Sequence, residues 1–188
     1  AAEERFTRVK YSLNLAGNTL LPRNAIRYCL NAAGIGIQDV DIVAHYCGFT
    51  PALVQRRLAL LKPFLTADQA ETVRRSFSQV YDGMMDRDVV VCQFAEMTGR
   101  TPTVFVPVRH HLAHAASAFF PSGFDEALIL TIDGTGEVES AMTGIGRGGQ
   151  IVEVGSTPLP TSLGALYLMV TVFLGFRSLG DEYKIMGL

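Results

Sequence analysis

An excess of positive charge is the first thing this sequence lacks: 16 Lys and Arg stand against 18 Asp and Glu, for a formal net charge of -2 and a pI near 6.1. No basic field attracts a phosphate backbone, so a nucleic-acid partner has no electrostatic support and a small-molecule partner is expected. Cysteine is scarce as well. Cys29, Cys47 and Cys92 lie far apart and form no CxxC pair, which argues against a disulfide framework or a thiolate zinc site and makes a reducing cytoplasm the expected compartment. Long apolar runs are missing too. The longest, Leu163 to Phe176, is interrupted by Gly164 and Gly175 and is too short for a hydrocarbon layer of roughly 30 Å, so no membrane partner is expected. The start, Ala1, Ala2, Glu3, Glu4, Arg5, has no initiator methionine, charged n-region or apolar h-region, and the other end stops at KIMGL. With no polar or Gly/Pro-rich linker at either end, the expectation is a segment of a longer protein.

What is present is enough apolar side chain, 48% of 188 residues, to bury a core in one domain or two small lobes. Pro22 followed by Ile26, Cys29, Leu30 and Ala33 at helical spacing predicts a helix over 22 to 33, stopped at Gly34. Ile42 to Cys47 reads as a strand. Pro51 opens a helix-rich stretch in which Thr66 and Gln69 form a capping-box signature for a helix to about Val80, and a further helix covers Asp88 to Thr98. Thr103 to Val108 is β-branched enough for a strand, and HHLAHAASAFF, His110 to Phe120, is an Ala-rich helix ending at Pro121. From Glu126 the pattern changes: ALILTID reads as a buried strand, DGTGE as a turn, and ESAMTGIG and GQIVEVGST as two further strands of a meander. Ser162 to Phe176 is an apolar helix, and the last residues open another. The order is α/β, then a β-meander, then helix.

Three of the four histidines fall within five residues. His110 and His114, four apart, put both imidazoles on one helix face, where they can grip one metal. His111 lies about 100° around the helix, so it is a candidate to support the ligands or to meet substrate. The same pattern also suits polar residues on a partly solvated first turn. A zincin protease is excluded, because the general-base position is His111 and not glutamate. Asp133 closes an apolar strand and is followed by Gly134, Thr135 and Gly136, a turn with so little bulk that phosphate can approach backbone N–H groups. Asp133 could complete a mixed N/O shell with His110 and His114 suited to iron(II), zinc or manganese, although Asp-Gly also makes plain hairpin turns. Glu137 and Glu139 could balance a nucleotide-bound cation, but strand-edge carboxylates more commonly face water. The tract at Gly146 to Gly149 has no following Lys-Ser/Thr and joins two strands, so it is a turn and not a P-loop. Lys184, after Gly180, Asp181 and Glu182, is placed to reach a nucleotide or to face solvent.

EERFTRVK at 3 to 10, HHLAHAASAFFPSGFDEALILTIDGTGE at 110 to 137 and GDEYKIMGL at 180 to 188 resemble the nodulation-type and antibiotic-tailoring O-carbamoyltransferases. The middle block also resembles the enzymes that make threonylcarbamoyl-adenosine on tRNA. The resemblance implies an incomplete actin-like ATPase (ribonuclease-H-like) fold, a mixed sheet flanked by helices. Residues 1 to 125 would form a first lobe lacking its opening strands, with a helical insertion at about 51 to 98, and residues 126 to 188 would start the second lobe. It implies iron or another divalent metal on His110, His114 and Asp133, with carbamoyl-adenylate, made elsewhere from carbamoyl phosphate and ATP, held in a cleft. Nucleotide contacts would fall to Asp133, Gly134, Thr135, Gly136, Gly180, Asp181 and Lys184. His111 would orient or deprotonate a hydroxylated small-molecule acceptor, and the truncated sheet edge would favour self-association. The rivals are a phosphotransferase or nucleotide hydrolase of the same fold using magnesium, which gives the His pair no purpose, and a non-catalytic nucleotide-binding domain.

Overall fold

The computed structural model describes residues 2–8, 21–48, 52–84, 86–177 and 180–187. In chain order the elements are α1 (Glu4–Thr7), α2 (Arg23–Ala33), β1 (Ile42–His45), α3 (Leu53–Leu61), α4 (Ala67–Phe77), α5 (Arg87–Thr98), β2 (Val104–Pro107), α6 (His110–Phe119), β3 (Glu126–Ile132), β4 (Glu139–Arg147), β5 (Gln150–Pro158), α7 (Leu163–Phe173) and α8 (Glu182–Ile185). The chain divides into two compact units, Ala1–His45 with Arg75–Pro107, and Tyr46–Arg74 with Val108–Leu188. The lobe boundary expected after residue 125 falls inside the second unit.

In the first unit β1 and β2 pair in parallel, Ile42 opposite Val104 and His45 opposite Pro107. Pro22 stands at the cap of α2 and offers no side-chain acceptor. Glu3 takes that role from twenty residues upstream. Its carboxylate accepts the N–H of Asn24 at 3.2 Å and that of Ala25 at 2.7 Å, satisfying donors that a helix start leaves open. Asp86 caps α5 in the usual way, accepting from the N–H groups of Asp88 and Val89. In the second unit, the box expected at Thr66 forms: its N–H donates to Gln69 Oε1 at 2.9 Å, and its hydroxyl accepts from Gln69 N–H at 3.3 Å. The helix it starts is α4, shorter than expected, with Ser78–Met84 continuing as a wider π-type helix. Pro51 lies outside the described residues.

The second unit contains the meander. β3, β4 and β5 are antiparallel neighbours in that order, with Leu128 opposite Ile145 and Ile145 opposite Val152. The tract at Gly146 to Gly149 is the turn that was expected: Gly148 and Gly149 both take positive φ, +57° and +74°, as a two-residue hairpin loop requires. Helix α6 covers one face of this sheet. Ala115 and Phe119, one turn apart, pack against Ile129 and Met142, with Ala127 and Ile151 at the margin. Burying side chains of the size of Phe, Ile and Met contributes about 1.5–3 kcal/mol each.

The other sheet face differs from the sequence expectation of a wholly buried strand. Leu128, Leu130 and Ile132 on β3 are exposed, as are Val152 and Val154 on β5, while Ile129 and Thr131 are buried. Alternation is the reason: successive β residues point to opposite faces, and α6 packs on only one of them. No helix among the described residues is long and apolar enough to cross a membrane.

Candidate functional site

The alternation that buries Ile129 and Thr131 continues one step past β3 and sends Asp133 to the α6 side. Its N–H is held by the carbonyl of Ser140 at 2.9 Å, so the strand pairing persists to this position. On α6 the residues facing the sheet are His111, Ala115 and Phe119, spaced i, i+4, i+8 and all buried. His110 and His114 occupy the adjoining edge of the helix, over the end of β3.

Three side chains converge there. Asp133 Oδ2 lies 2.7 Å from His110 Nε2 and 3.1 Å from His114 Nε2, and the two imidazole nitrogens are 3.1 Å apart. One donor atom from each of the three residues lies within 4.8 Å of the others. Ligands about 2.0–2.2 Å from a common cation are separated by such distances, and two imidazoles with one carboxylate suit iron(II), zinc or manganese. Asp133 is held well below the usual carboxylate range, first by the hydrogen bond from His110 and then by the N–H of Gly134, against the opposing effect of its burial. It is therefore a carboxylate at neutral pH, the form that a cation would require.

The turn that follows is less open than a bare Gly-rich loop. Gly134 N–H donates to Asp133 Oδ1 at 2.6 Å and Gly136 N–H to the carbonyl of Glu139 at 2.6 Å. Of the three amides expected to cradle phosphate, only that of Thr135 carries no hydrogen bond among the described residues. The hydroxyl of Ser162, cap of α7, donates to the carbonyls of Asp133 and Gly134 and ties that helix start to the turn.

Residues 1–188 match the family described as Carbamoyltransferase N-terminus. The chain belongs to this family. The nodulation protein NolNO of Sinorhizobium fredii is 35% identical over 189 residues, which cover 99% of this chain and 25% of that protein. An uncharacterised protein of Synechocystis is 36% identical over 195 residues, 99% of this chain and 30% of that protein. The nodulation protein NolO of Bradyrhizobium diazoefficiens is 43% identical over 81 residues, 43% of this chain and 15% of that protein. The chain thus spans 25% to 30% of the length of the two relatives that it matches along its whole extent.

Within this carbamoyltransferase N-terminal chain, the remaining candidates separate into groups. His111 is 1% exposed, and its ring nitrogens lie 2.8 Å from Thr131 Oγ1 and 3.2 Å from the carbonyl of Glu139. The ring thus faces the sheet interior, which favours the supporting role over direct contact with an acceptor hydroxyl. Gly180, Asp181 and Lys184 form a local group. Lys184 Nζ is 2.8 Å from Asp181 Oδ1, which depresses that carboxyl.

Two further residues, one given little weight in the sequence and one given no role, border the site. Glu137, for which balancing a cation and, more commonly, facing water were the expectations, is 5% exposed and accepts from the N–H groups of Gly48 at 2.7 Å and His110 at 3.0 Å. Arg57, to which no role was given, is 1% exposed and donates to Thr135 Oγ1 at 2.6 Å and to the carbonyls of Gly136 and Glu137. Nothing local marks Arg57, since its partners are about eighty residues away. Glu139, with the same two expectations, is partly buried and forms an ion pair with Arg109 at 3.1 Å.

Proposed function

We propose that this chain is the metal- and nucleotide-handling part of a carbamoyltransferase that moves a carbamoyl group from carbamoyl-adenylate, made from carbamoyl phosphate and ATP, to a hydroxyl of a sugar or natural-product acceptor. The supporting observation is the convergence of His110, His114 and Asp133 within 4.8 Å, in a chain that belongs to the carbamoyltransferase N-terminal family. The whole protein is assigned an actin-like fold, with the Asp-Gly turn after β3 at its phosphate-binding position. Its compartment is assigned as the cytoplasm.

His110, His114 and Asp133 would hold the cation, iron first and zinc or manganese as alternatives. When bound, it supplies Lewis acidity to a carbamoyl or phosphate oxygen. The acceptor oxygen bonds to the carbamoyl carbon, and the bond from that carbon to the adenylate phosphate oxygen breaks. AMP leaves with the electron pair, and the hydroxyl proton passes to solvent. The residues of this chain contribute placement: the ionised Asp133 would fix the donor set, and the N–H of Thr135 would donate to a phosphate oxygen of the leaving group, where charge grows during bond cleavage. His111 holds Thr131 and the Glu139 carbonyl together beneath the site.

The test is His110→Ala in the full-length enzyme. We expect it to lose both the metal retained after dialysis and the AMP released from ATP, carbamoyl phosphate and a hydroxylated acceptor. Retention of both would remove the assignment, and a protein that retains no iron or zinc yet hydrolyses nucleotide with magnesium would favour a phosphotransferase instead.

A further inference from the structure

Arg57 projects from α3 into the interior and is 1% exposed. A buried guanidinium is tolerated only where its fixed fork of donors finds acceptors. Here Nη2 donates to Thr135 Oγ1 at 2.6 Å and to the Gly136 carbonyl, and Nε donates to the Glu137 carbonyl. Those three acceptors are consecutive residues of the turn that begins two positions after Asp133. The same turn ends at Glu137, whose carboxylate, 5% exposed, accepts from His110 N–H at 3.0 Å through Oε1 and at 3.2 Å through Oε2, and from Gly48 N–H at 2.7 Å. His110 is the first residue of α6, so Glu137 fixes the start of the helix that carries both imidazoles.

From this network we infer that Arg57 and Glu137 together are the positioning pair of the donor set. Arg57 fixes the turn after Asp133, and Glu137 links that turn to the first residue of α6. The distance between Asp133 and the two imidazoles is therefore set by two buried charges that are not members of the donor set. The inference rests on the proposed metal centre. A role in charge balance alone would need only a cation near Glu137, which lysine supplies. Positioning needs the planar fork, which lysine lacks.

The experiment is a Co²⁺ titration of the full chain, read by the visible ligand-field absorption of the bound ion, with circular dichroism and thermal unfolding alongside. We expect Arg57→Lys and Glu137→Gln to fold, to bind Co²⁺ about 10–100-fold more weakly and to shift the absorption band, as loss of an outer partner of metal ligands does. Thr135→Val removes one partner of the guanidinium while both charges stay, and is expected to weaken binding in the same direction. It decides the matter if either charged-residue variant does not fold. His110→Ala is the control. If it loses the band while the folded variants keep the wild-type affinity and spectrum, the positioning role is overturned and the metal centre stands. If His110→Ala binds Co²⁺ as the wild type does, the metal-centre reading fails and the positioning role falls with it.

Discussion

A β-carbon built on Gly136 would lie 2.7 Å from Cδ2 of the His111 ring. The ring cannot easily withdraw, because Thr131 Oγ1 and the Glu139 carbonyl hold its two nitrogens. The turn cannot withdraw either, since Gly136 N–H is bonded to that same Glu139 carbonyl. Helix and turn are therefore packed at a distance that only glycine permits.

Gly136→Ala is accordingly expected to destabilise the chain by about 1–3 kcal/mol, the usual cost of overpacking a closed interior. Chemical denaturation measures it. An unchanged midpoint would mean that the imidazole moves aside freely, contrary to its hydrogen bonding.

Ser162 caps α7 by accepting from Ala165 N–H at 3.0 Å, and its hydroxyl also donates to the Asp133 and Gly134 carbonyls. Ser162→Ala removes both functions and should cost about 1–2 kcal/mol, whereas Ser162→Thr should retain most of the stability. Equal losses in the two variants would show that the hydroxyl itself contributes little.

The Cys47 thiol is pushed up to about 11, first by burial and then by the nearby Glu137 carboxylate, with Arg57 opposing. Cys29 and Cys92 are exposed. At pH 8 iodoacetamide should modify those two and spare Cys47, because the thiolate is the reactive form. Since the folded state holds this proton more tightly than the unfolded state, the associated stability is present below about pH 9 and is lost as pH rises toward about 11. Cys47→Ala should flatten that decline in thermal melts, and alkylation of Cys47 as fast as the other two would contradict its burial.

Much of the architecture was legible in local pattern. The capping box at Thr66, the i, i+4 imidazoles on α6 and the Gly148–Gly149 turn all depend on contacts within a few residues, and they stand where spacing placed them. Two signals misled. Apolar residues on both faces of β3 read as full burial, although α6 packs on one face only. Glu137 read as a strand-edge carboxylate because the N–H donors to its carboxylate, Gly48 and His110, are 89 and 27 residues away.

Taken alone, the residues determined which groups could bind a cation: two imidazoles one helical turn apart and a carboxylate at a strand end, since helical and β periodicity fix side-chain direction over short separations. Only the tertiary structure decided that these groups meet within 4.8 Å, that His111 turns inward, and that Arg57 and Glu137 hold the turn and the helix start together. The physical reason is that a buried charge must find its partners wherever folding brings them, and sequence separation carries no record of which they will be.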